Sequence, residues 1–263
     1  MKKILLIVVL ILVGLNAQAW TSRQDEGVVL LAAKYLSPEA KGVVERYLGT
    51  TYSDDVAYLV NLEKKGQSPY SKEVHYLHLN ADLQPMAVEG DDALKALEQA
   101  LAVVATHESH SKGEVVRALR IIINLMCDIH TPSHIRIEGV QHSWHDFNVC
   151  RYAAASGSKA KIISRSKWSS FWSVYSAMHN GFHAELWAED LDVCFGAKRA
   201  EISHGTLLDW VQQNGRVASK LYGVITPERT LSRVEFLRLE NVNCEMMASA
   251  GLRLATLLNG TIK

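Results

Sequence analysis

The chain lacks several features that mark common classes of protein. Its 28 Lys and Arg residues are balanced by 28 Asp and Glu residues, so it lacks the basic excess with which duplex-binding proteins contact phosphates. Its 4 cysteines include no Cys-x-x-Cys pair and do not make a metal site by themselves. Proline is scarce, at 5 of 263 residues, and there is no low-complexity segment or internal repeat. These absences argue against a duplex-binding protein, a cysteine-only zinc module and a repeat protein.

One long apolar run lies at the amino terminus. Two lysines precede an apolar stretch over residues 4–15, which is too short to span a membrane as a mature helix. The sequence Ala-Gln-Ala follows, and signal peptidase cuts after small-residue patterns of this kind. We therefore predict a signal peptide over residues 1–19 and a secreted or periplasmic chain, without a membrane anchor, that begins at Trp20. Cleavage leaves 26 basic and 28 acidic side chains, a formal charge of −2.

Apolar residues recur at helical spacing through most of the mature chain. The predicted helices cover residues 27–36, 37–48, 54–62, 72–79, 91–110, 112–130, 167–179, 182–191, 198–222 and 231–258, with a further helical segment around Trp144. We find no convincing alternating strand and no hairpin dipeptide. The small residues over 153–158 indicate a flexible surface linker or, alternatively, a lid. Residues 20–263 are therefore predicted to form one all-α domain around the long terminal helix.

A candidate metal site begins on the helix predicted over residues 112–130. Asn124 and Asp128 are four residues apart, so both side chains project from one helix face. Pro132 ends this helix, because the residue before a proline is pushed out of the helical region. His134 is then delivered from an irregular segment just beyond the helix end.

A second pair, His142 and Asp146, has the same four-residue spacing on what we predict to be a following helix. One imidazole and one carboxylate suit Zn²⁺, whose nitrogen and oxygen ligands lie at about 2.0–2.2 Å. Taken alone, each pair is also typical of a solvated helix face. Two pairs with a proline-positioned histidine between them favour a zinc site.

Three residues outside this stretch gain meaning beside a zinc cluster. Trp20 would begin the mature chain, where its α-amino group and carbonyl oxygen can bind a metal; packing of its ring into the core is the alternative. Asp54 is either the N-cap of the following helix or a carboxylate ligand. His75 lies in a predicted helix, where a histidine is usually packed, and ligation is the second possibility.

The remaining histidines and the cysteines favour structural roles. His130 is expected to pack at a helix end rather than to support a metal ligand from behind. Cys127 lies on the metal-bearing helix and is expected to be a buried free thiol, which leaves at most one disulfide among the other cysteines. Those cysteines are Cys150, Cys194 and Cys244. Two further sets lack a third convergent ligand and are expected on exposed helix faces. These sets are His179 with His183 and Glu185, and His107 with His110.

The order of the motifs resembles the secreted zinc-dependent single-strand nuclease family of fungi, plants and bacteria, which is related to bacterial zinc phospholipase C. The matching elements are Trp20, the Tyr-Ser-Asp element that ends at Asp54, the Val-His-Tyr element around His75, the Asp-Ile-His-Thr-Pro-Ser-His run over 128–134, and His142 with Asp146. The match covers residues 20–146 as ordered motifs, with a compatible helical remainder. The run over 128–134 is its most specific part.

The resemblance implies a single all-α domain of the zinc phospholipase C/nuclease type, with up to three zinc ions at the bottom of a cleft. The implied ligands are His134, His142 and Asp146 for one ion, Asp54, His75, Asn124 and Asp128 for the second, and Trp20, Asp25 and the bridging Asp128 for the third. Of the three sites, the first has the most complete ligand set.

The resemblance also implies metal-assisted hydrolysis of a phosphoester. Asp54 and Asp128 are the expected catalytic residues. Tyr76 matches an aromatic ring that stacks on a nucleobase, and His78 occupies the position that usually reads the base. The implied substrate is single-stranded DNA, RNA or a nucleotide, and the protein is expected to be a monomer.

The sequence departs from the family pattern at four positions. Asp25 and Asn124 stand where the family has histidine, and Ala57 stands where it has a basic residue near the phosphate. His78 replaces an acidic residue. Aspartate is a competent zinc ligand, but an amide oxygen binds zinc less well than imidazole does. The second zinc site is therefore expected to be weakened most.

Three functions remain open from the sequence. The first is a nuclease or nucleotidase that acts on single-stranded nucleic acid. The second is a phospholipase C-like phosphodiesterase, against which Asp146 argues because that branch tends to carry glutamate there. The third is a weakened or non-catalytic zinc-binding protein, and Asn124 and Ala57 are the evidence for it.

Overall fold

The computed structural model describes residues 20, 22–50, 75–153, 161–174 and 183–263. Its helices are α1 (Ser22–Ala33), α2 (Pro38–Leu48), α3 (Ala93–Ala105), α4 (Lys112–Asp128), α5 (Trp168–Val174), α6 (Ala184–Phe195), α7 (Arg199–Ile202), α8 (Leu207–Val224) and α9 (Arg233–Thr261). Its strands are β1 (Leu77–Leu79), β2 (Ile135–Ile137), β3 (Asn148–Ala153), β4 (Lys161–Lys167) and β5 (Thr230–Leu231). The described chain is thus mostly helical, as predicted. None of its helices combines the length and apolar character needed to cross a membrane.

Local signals set the helix ends that lead to the candidate site. Ser37 accepts a hydrogen bond from the Ala40 amide at 3.1 Å and Pro38 opens α2, which confirms the predicted start. Ser111 and Glu114 form a reciprocal capping box at the start of α4. This helix ends at Asp128, and Pro132 opens a short 3₁₀ turn, as the proline signal predicts.

The long helix α9 lies at the centre of the described core, as predicted, and α1 packs along it. Gly251 permits this approach, since a β-carbon there would stand 2.9 Å from the Val28 carbonyl oxygen. On its other side α1 meets α6, where a β-carbon on Gly27 would stand 2.8 Å from the Trp187 β-carbon. Helix α1 is thus packed closely against both α9 and α6, and it also contacts α4.

The prediction of a strand-free domain is wrong. The helix predicted over 72–79 is replaced at its end by β1, which pairs in parallel with β2 so that Leu77 lies opposite Ile135 and Leu79 opposite Ile137. Apolar residues alternate with polar ones in both segments, which is the period of a strand. The alternation was too short to outweigh the surrounding helical pattern.

Other boundaries also differ from the predictions. A three-stranded sheet, in the order β4-β3-β5, joins residues 148–153, 161–167 and 230–231. The helix predicted over 198–222 is broken between α7 and α8, because the Thr206–Asp209 capping box starts a new helix. The predicted helix 54–62 lies outside the described residues. So does most of the linker predicted over 153–158, whose first residue ends β3.

All four cysteines are free thiols. Cys127 is buried, which confirms the prediction for α4. Cys150, on β3, is also buried, whereas Cys194 on α6 is exposed and Cys244 on α9 is partly buried. None of the three forms the bridge that the sequence allowed.

Candidate metal centre

The carboxylate of Asp128 lies between two histidines. Its Oδ2 atom is 2.8 Å from His75 Nδ1, and its Oδ1 atom is 3.0 Å from His134 Nδ1. The three residues come from three segments. Asp128 is the last residue of α4, His134 is the last residue of the 3₁₀ turn that precedes β2, and His75 lies in the segment that leads into β1. Parallel pairing of β1 with β2 aligns the last two segments beside the helix end. The structure therefore joins three predicted ligands in one cluster.

His134 is the deepest member of this cluster. Its side chain is 1% exposed, and neither ring nitrogen has a hydrogen-bond partner among the described residues. The approach to Asp128 is a charge contact that lacks hydrogen-bond geometry. Nε2 therefore has lost its water without replacement, which is costly for a buried polar atom. A bound cation would satisfy one of these nitrogens.

Asp128 is strongly biased toward its ionised form. Burial by itself would raise its pKa, but the attraction of His75 and His134 and the close polar contacts with both imidazoles outweigh burial and lower the pKa from 3.8 to about 2. A buried carboxylate that stays ionised is suited to a cation. Asp128 therefore retains the charge that a bridging metal ligand needs.

Asn124 also contacts this carboxylate. Its Nδ2 group donates to Asp128 Oδ2 at 3.3 Å across one helical turn. The predicted spacing of Asn124 and Asp128 on one helix face is thus confirmed. In this orientation the amide presents its N–H group to Asp128, and an N–H group does not bind a metal.

The start of α1 reaches the same helix from the other side. Asp25 is 7% exposed. Burial raises the pKa of the Cys127 thiol well above its usual range, and the neighbouring carboxylates of Asp25 and Asp128 raise it further. Asp25 therefore lies near the end of α4, where the implied third site would be.

Trp20 packs into the core just before α1. Its ring is 1% exposed, and Nε1–H donates to Asn243 Oδ1 of α9 at 2.8 Å. The packing alternative is confirmed for the side chain. Metal binding by the backbone of Trp20 stays a prediction.

His142 lies in a 3₁₀ turn over Gln141–Trp144, so the predicted helix carrying His142 and Asp146 is wrong. Its Nε2 atom is 3.1 Å from the Tyr222 carbonyl oxygen. A carbonyl only accepts, so Nε2 carries the proton and Nδ1 is left as the basic nitrogen. Metal-binding histidines are commonly oriented by such a hydrogen bond to the backbone.

Asp146 already has a structural role. Its Oδ1 accepts from the Ser169 amide at 3.0 Å and its Oδ2 accepts from the Ser169 hydroxyl at 2.8 Å, at the start of α5. The residue is exposed and lies in an irregular segment before β3. Sequence reasoning missed this capping role because Ser169 is distant along the chain.

The residues predicted to contact substrate form a cluster beside His134. The rings of Tyr76 and His134 have centroids 5.2 Å apart. The guanidinium carbon of Arg136 lies 3.4 Å from the Tyr76 ring centroid. Arg136 was not among the residues predicted from the sequence. His78 is 2% exposed and its Nε2 is 2.8 Å from Asp91 Oδ2, so it is turned inward beneath this cluster.

The end of α4 is held from behind by a buried polar network. His130 Nδ1–H donates to the Met126 carbonyl at 2.7 Å, and its Nε2 accepts from Arg253 Nη1 at 3.1 Å. Asn214 donates to the Ile129 carbonyl and accepts from Arg253, at 2.9 and 3.1 Å. Burial and the nearby Arg253 charge lower the pKa of His130 well below 6.5. His130 therefore packs at the helix end, as predicted.

The other histidine sets match the predicted exposed helix faces only in part. His183 and Glu185 are exposed, as predicted. His107 and His110 are half-buried at a 3₁₀ turn after α3, where His107 Nδ1 lies 3.3 Å from the Tyr47 hydroxyl, so the prediction of an exposed helix face is wrong for this pair. His179 lies outside the described residues, as do Asp54 and Ala57.

Among the described residues, no group of three or more His, Cys, Asp and Glu side chains is arranged to hold a metal ion. Asp54 is not among those residues, and the backbone of Trp20 is not a side chain. What fits a metal is the chemistry of the donors at Asp128 and His134, namely an ionised buried carboxylate beside an imidazole without hydrogen bonds.

Comparison with known proteins adds no family assignment. No protein-family model matches the chain, and no curated protein matches it significantly.

Proposed function

We propose that this chain is an exported zinc-dependent phosphoester hydrolase of the zinc phospholipase C/nuclease type that cleaves single-stranded DNA, RNA or nucleotides. The observation that supports it best is the cluster of His75, Asp128 and His134. The Nε2 atom of the buried His134 ring has no partner among the described residues, and the buried Asp128 carboxylate stays ionised, as a cation requires. The order of motifs along the sequence supplies the substrate class.

The residues present have distinct parts in this proposal. Asp128 and His134 would hold zinc, together with His75 and the predicted ligands outside the cluster. Zinc, when bound, acts as a Lewis acid and lowers the pKa of water near phosphorus. His142 is oriented by the Tyr222 carbonyl with Nδ1 available, and the Arg253 network holds the end of α4 in place.

The test measures zinc and hydrolysis in one sample with its native start at Trp20. Protein exported with its own leader is dialysed against zinc, analysed for metal and assayed on single-stranded and duplex DNA. We expect bound zinc and faster cleavage of the single strand. A metal-free protein, or a zinc-loaded protein without phosphodiesterase activity, contradicts the proposal.

The start of the chain provides a sharper version of this test. A residue placed before Trp20 converts its amine into an amide, which removes a nitrogen donor while leaving the buried ring in place. We expect lower zinc content and a lower rate from protein with an added amino-terminal Met. Equal zinc content and equal rates for the two proteins would show that Trp20 only packs into the core.

One observation favours a second function, a zinc-binding protein with weak or no catalysis. Asn124 points its N–H group at Asp128, so at the second implied site an amide donor stands where the family has an imidazole. This alternative predicts bound zinc without measurable hydrolysis. Assaying a phosphocholine lipid beside DNA also tests the phospholipase C-like possibility.

A further inference from the structure

The guanidinium of Arg136 lies against the aromatic ring that neighbours His134 in the candidate centre. Arg136 lies on β2, and its guanidinium carbon is 3.4 Å from the centroid of the Tyr76 ring. The Tyr76 ring in turn lies 5.2 Å, centroid to centroid, from that of His134. One aromatic ring therefore separates a positive charge from the deepest candidate ligand.

The guanidinium is held in place on two sides. Its Nη1 atom lies 3.5 Å from Asp91 Oδ2, and the same oxygen is 2.8 Å from His78 Nε2. Contact with the Tyr76 ring face adds a cation–π attraction. An arginine held in this way has lost part of its side-chain freedom before any ligand arrives, so a ligand would not bear the whole cost of ordering it.

Arg136 still has hydrogen-bond donors to offer. Its Nε atom is buried and has no partner among the described residues, while its side chain as a whole is 21% exposed. A guanidinium carries five N–H donors in a planar fork that matches a phosphate, and the contacts with Asp91 and the Tyr76 side chain use only part of that fork. The exposed part of the guanidinium, rather than the buried Nε, is what a phosphate can reach from solvent.

We propose that Arg136 binds the phosphate of a nucleotide substrate at the candidate centre. The inference rests on the proposed function and names a substrate contact that the sequence did not reveal. One aromatic ring separates the Arg136 charge from His134, so a phosphate at the candidate centre would lie within its field. Arg136 supplies this charge from β2.

This arrangement also changes the role of Tyr76. One face of its ring is covered by the guanidinium, so a base that stacks on this face has to displace Arg136. In the proposed complex Tyr76 positions the arginine, and the nucleotide is held mainly through its phosphate. Recognition should therefore depend more on the phosphate than on the identity of the base.

The experiment compares adenosine 5′-monophosphate with adenosine by calorimetry, on the mature protein with measured zinc content and again in EDTA. The variants are Arg136→Gln, Arg136→Lys and, as a matched control, Arg165→Gln. Arg165 is likewise paired with an acidic residue, Glu228, but is exposed on β4. All three are checked for native unfolding temperature.

The nucleotide should lose affinity when the charge is removed. We expect Arg136→Gln to lower the affinity for adenosine 5′-monophosphate by about tenfold and the affinity for adenosine by less than about twofold, because a charged hydrogen-bonded contact to phosphate is lost. Arg136→Lys should give an intermediate value, since it keeps the charge and loses the fork. Arg165→Gln should bind like the parent protein.

Unchanged nucleotide affinity in a folded Arg136→Gln protein would overturn the inference, as would equal losses for nucleotide and nucleoside. Should Arg136→Gln fail to fold, Arg136→Lys decides, because full nucleotide affinity in that variant would show that the guanidinium does not bind the phosphate. Failure of the proposed function has a different signature: the protein holds no zinc, yet Arg136→Gln still lowers nucleotide affinity in EDTA. Absence of nucleotide binding in both arms overturns both.

Discussion

The predicted metal ligands fall into two sets, a buried half and an exposed half, which are held in different ways. On one side, His75, Asp128 and His134 are partly or fully buried and contact one another through charge, with nitrogens of His134 left unsatisfied. On the other side, His142 and Asp146 are more exposed and are already bound to a backbone carbonyl and to Ser169. In the first half Nε2 of His134 has no partner among the described residues, whereas in the second half the side chains already have hydrogen-bond partners. A metal should therefore depend far more on the first half.

The largest expected effect comes from neutralising the buried half. Asp128→Asn removes the charge between His75 and His134 and should weaken zinc binding by at least about 100-fold, because groups that only support a ligand from behind already contribute about 10–100-fold. Asp91→Asn is the matched control, since Asp91 also pairs with a histidine, His78. Competition with a chromophoric chelator measures both. Equal zinc affinity in Asp128→Asn and the parent would remove Asp128 from the site.

A smaller effect should come from improving the same half. Asn124→His places an imidazole one turn from Asp128, in exchange for an amide that now donates to the carboxylate. A tenfold gain in rate corresponds to only about 1.4 kcal/mol. We expect zinc occupancy and cleavage of single-stranded DNA to rise together. Higher zinc content at an unchanged rate would favour the non-catalytic alternative, and no change in either would exclude Asn124 from the site.

The network behind the buried half should make stability depend on pH. Burial lowers the folded pKa of His130, so the unfolded chain binds a proton below pH 6.5 while the folded chain does not. Stability is then full above pH 6.5 and falls as the pH falls. One such group costs about 1 kcal/mol between pH 6.5 and 5.5. Urea unfolding of the parent and of His130→Gln should show a flatter dependence in the variant; parallel curves would contradict this origin.

The smallest expected effect lies in the exposed half. Ser169→Ala removes one hydrogen bond to Asp146 but leaves the carboxylate free to bind metal, so stability should fall by about 0.5–1 kcal/mol with zinc affinity unchanged. Asp146→Ala should lower stability similarly and reduce zinc affinity as well. Thermal unfolding and zinc titration of both variants separate the two roles. Parallel losses of zinc affinity would mean that Ser169 orients Asp146 as a ligand.

The missed features share a physical cause. Asp146 was assigned to a helix from its spacing, yet its partner Ser169 is recruited from a later segment. Arg136 shows no motif in the sequence, and it gains meaning only from its position over Tyr76. Spacing reports contacts within one helix, whereas these contacts join segments that are far apart in sequence.

The sequence by itself determined the features that depend on neighbours along the chain. These are the mostly helical class, the start of α2 at Pro38, the end of α4 before Pro132 and the shared face of Asn124 and Asp128. Caps, prolines and helical periods act over a few residues, so a linear pattern is sufficient to specify them.

Only the tertiary structure decided which residues meet at the centre. Pairing of β1 with β2 brings Tyr76 beside His134, and it places His75 against Asp128 across 53 residues of chain. Tertiary contacts also decide that Asn124 donates to Asp128 and that Asp146 accepts two hydrogen bonds from Ser169. A strand pairing and a buried charge cluster obtain their free energy from groups that meet only after the chain has collapsed, which is why no local pattern encodes them.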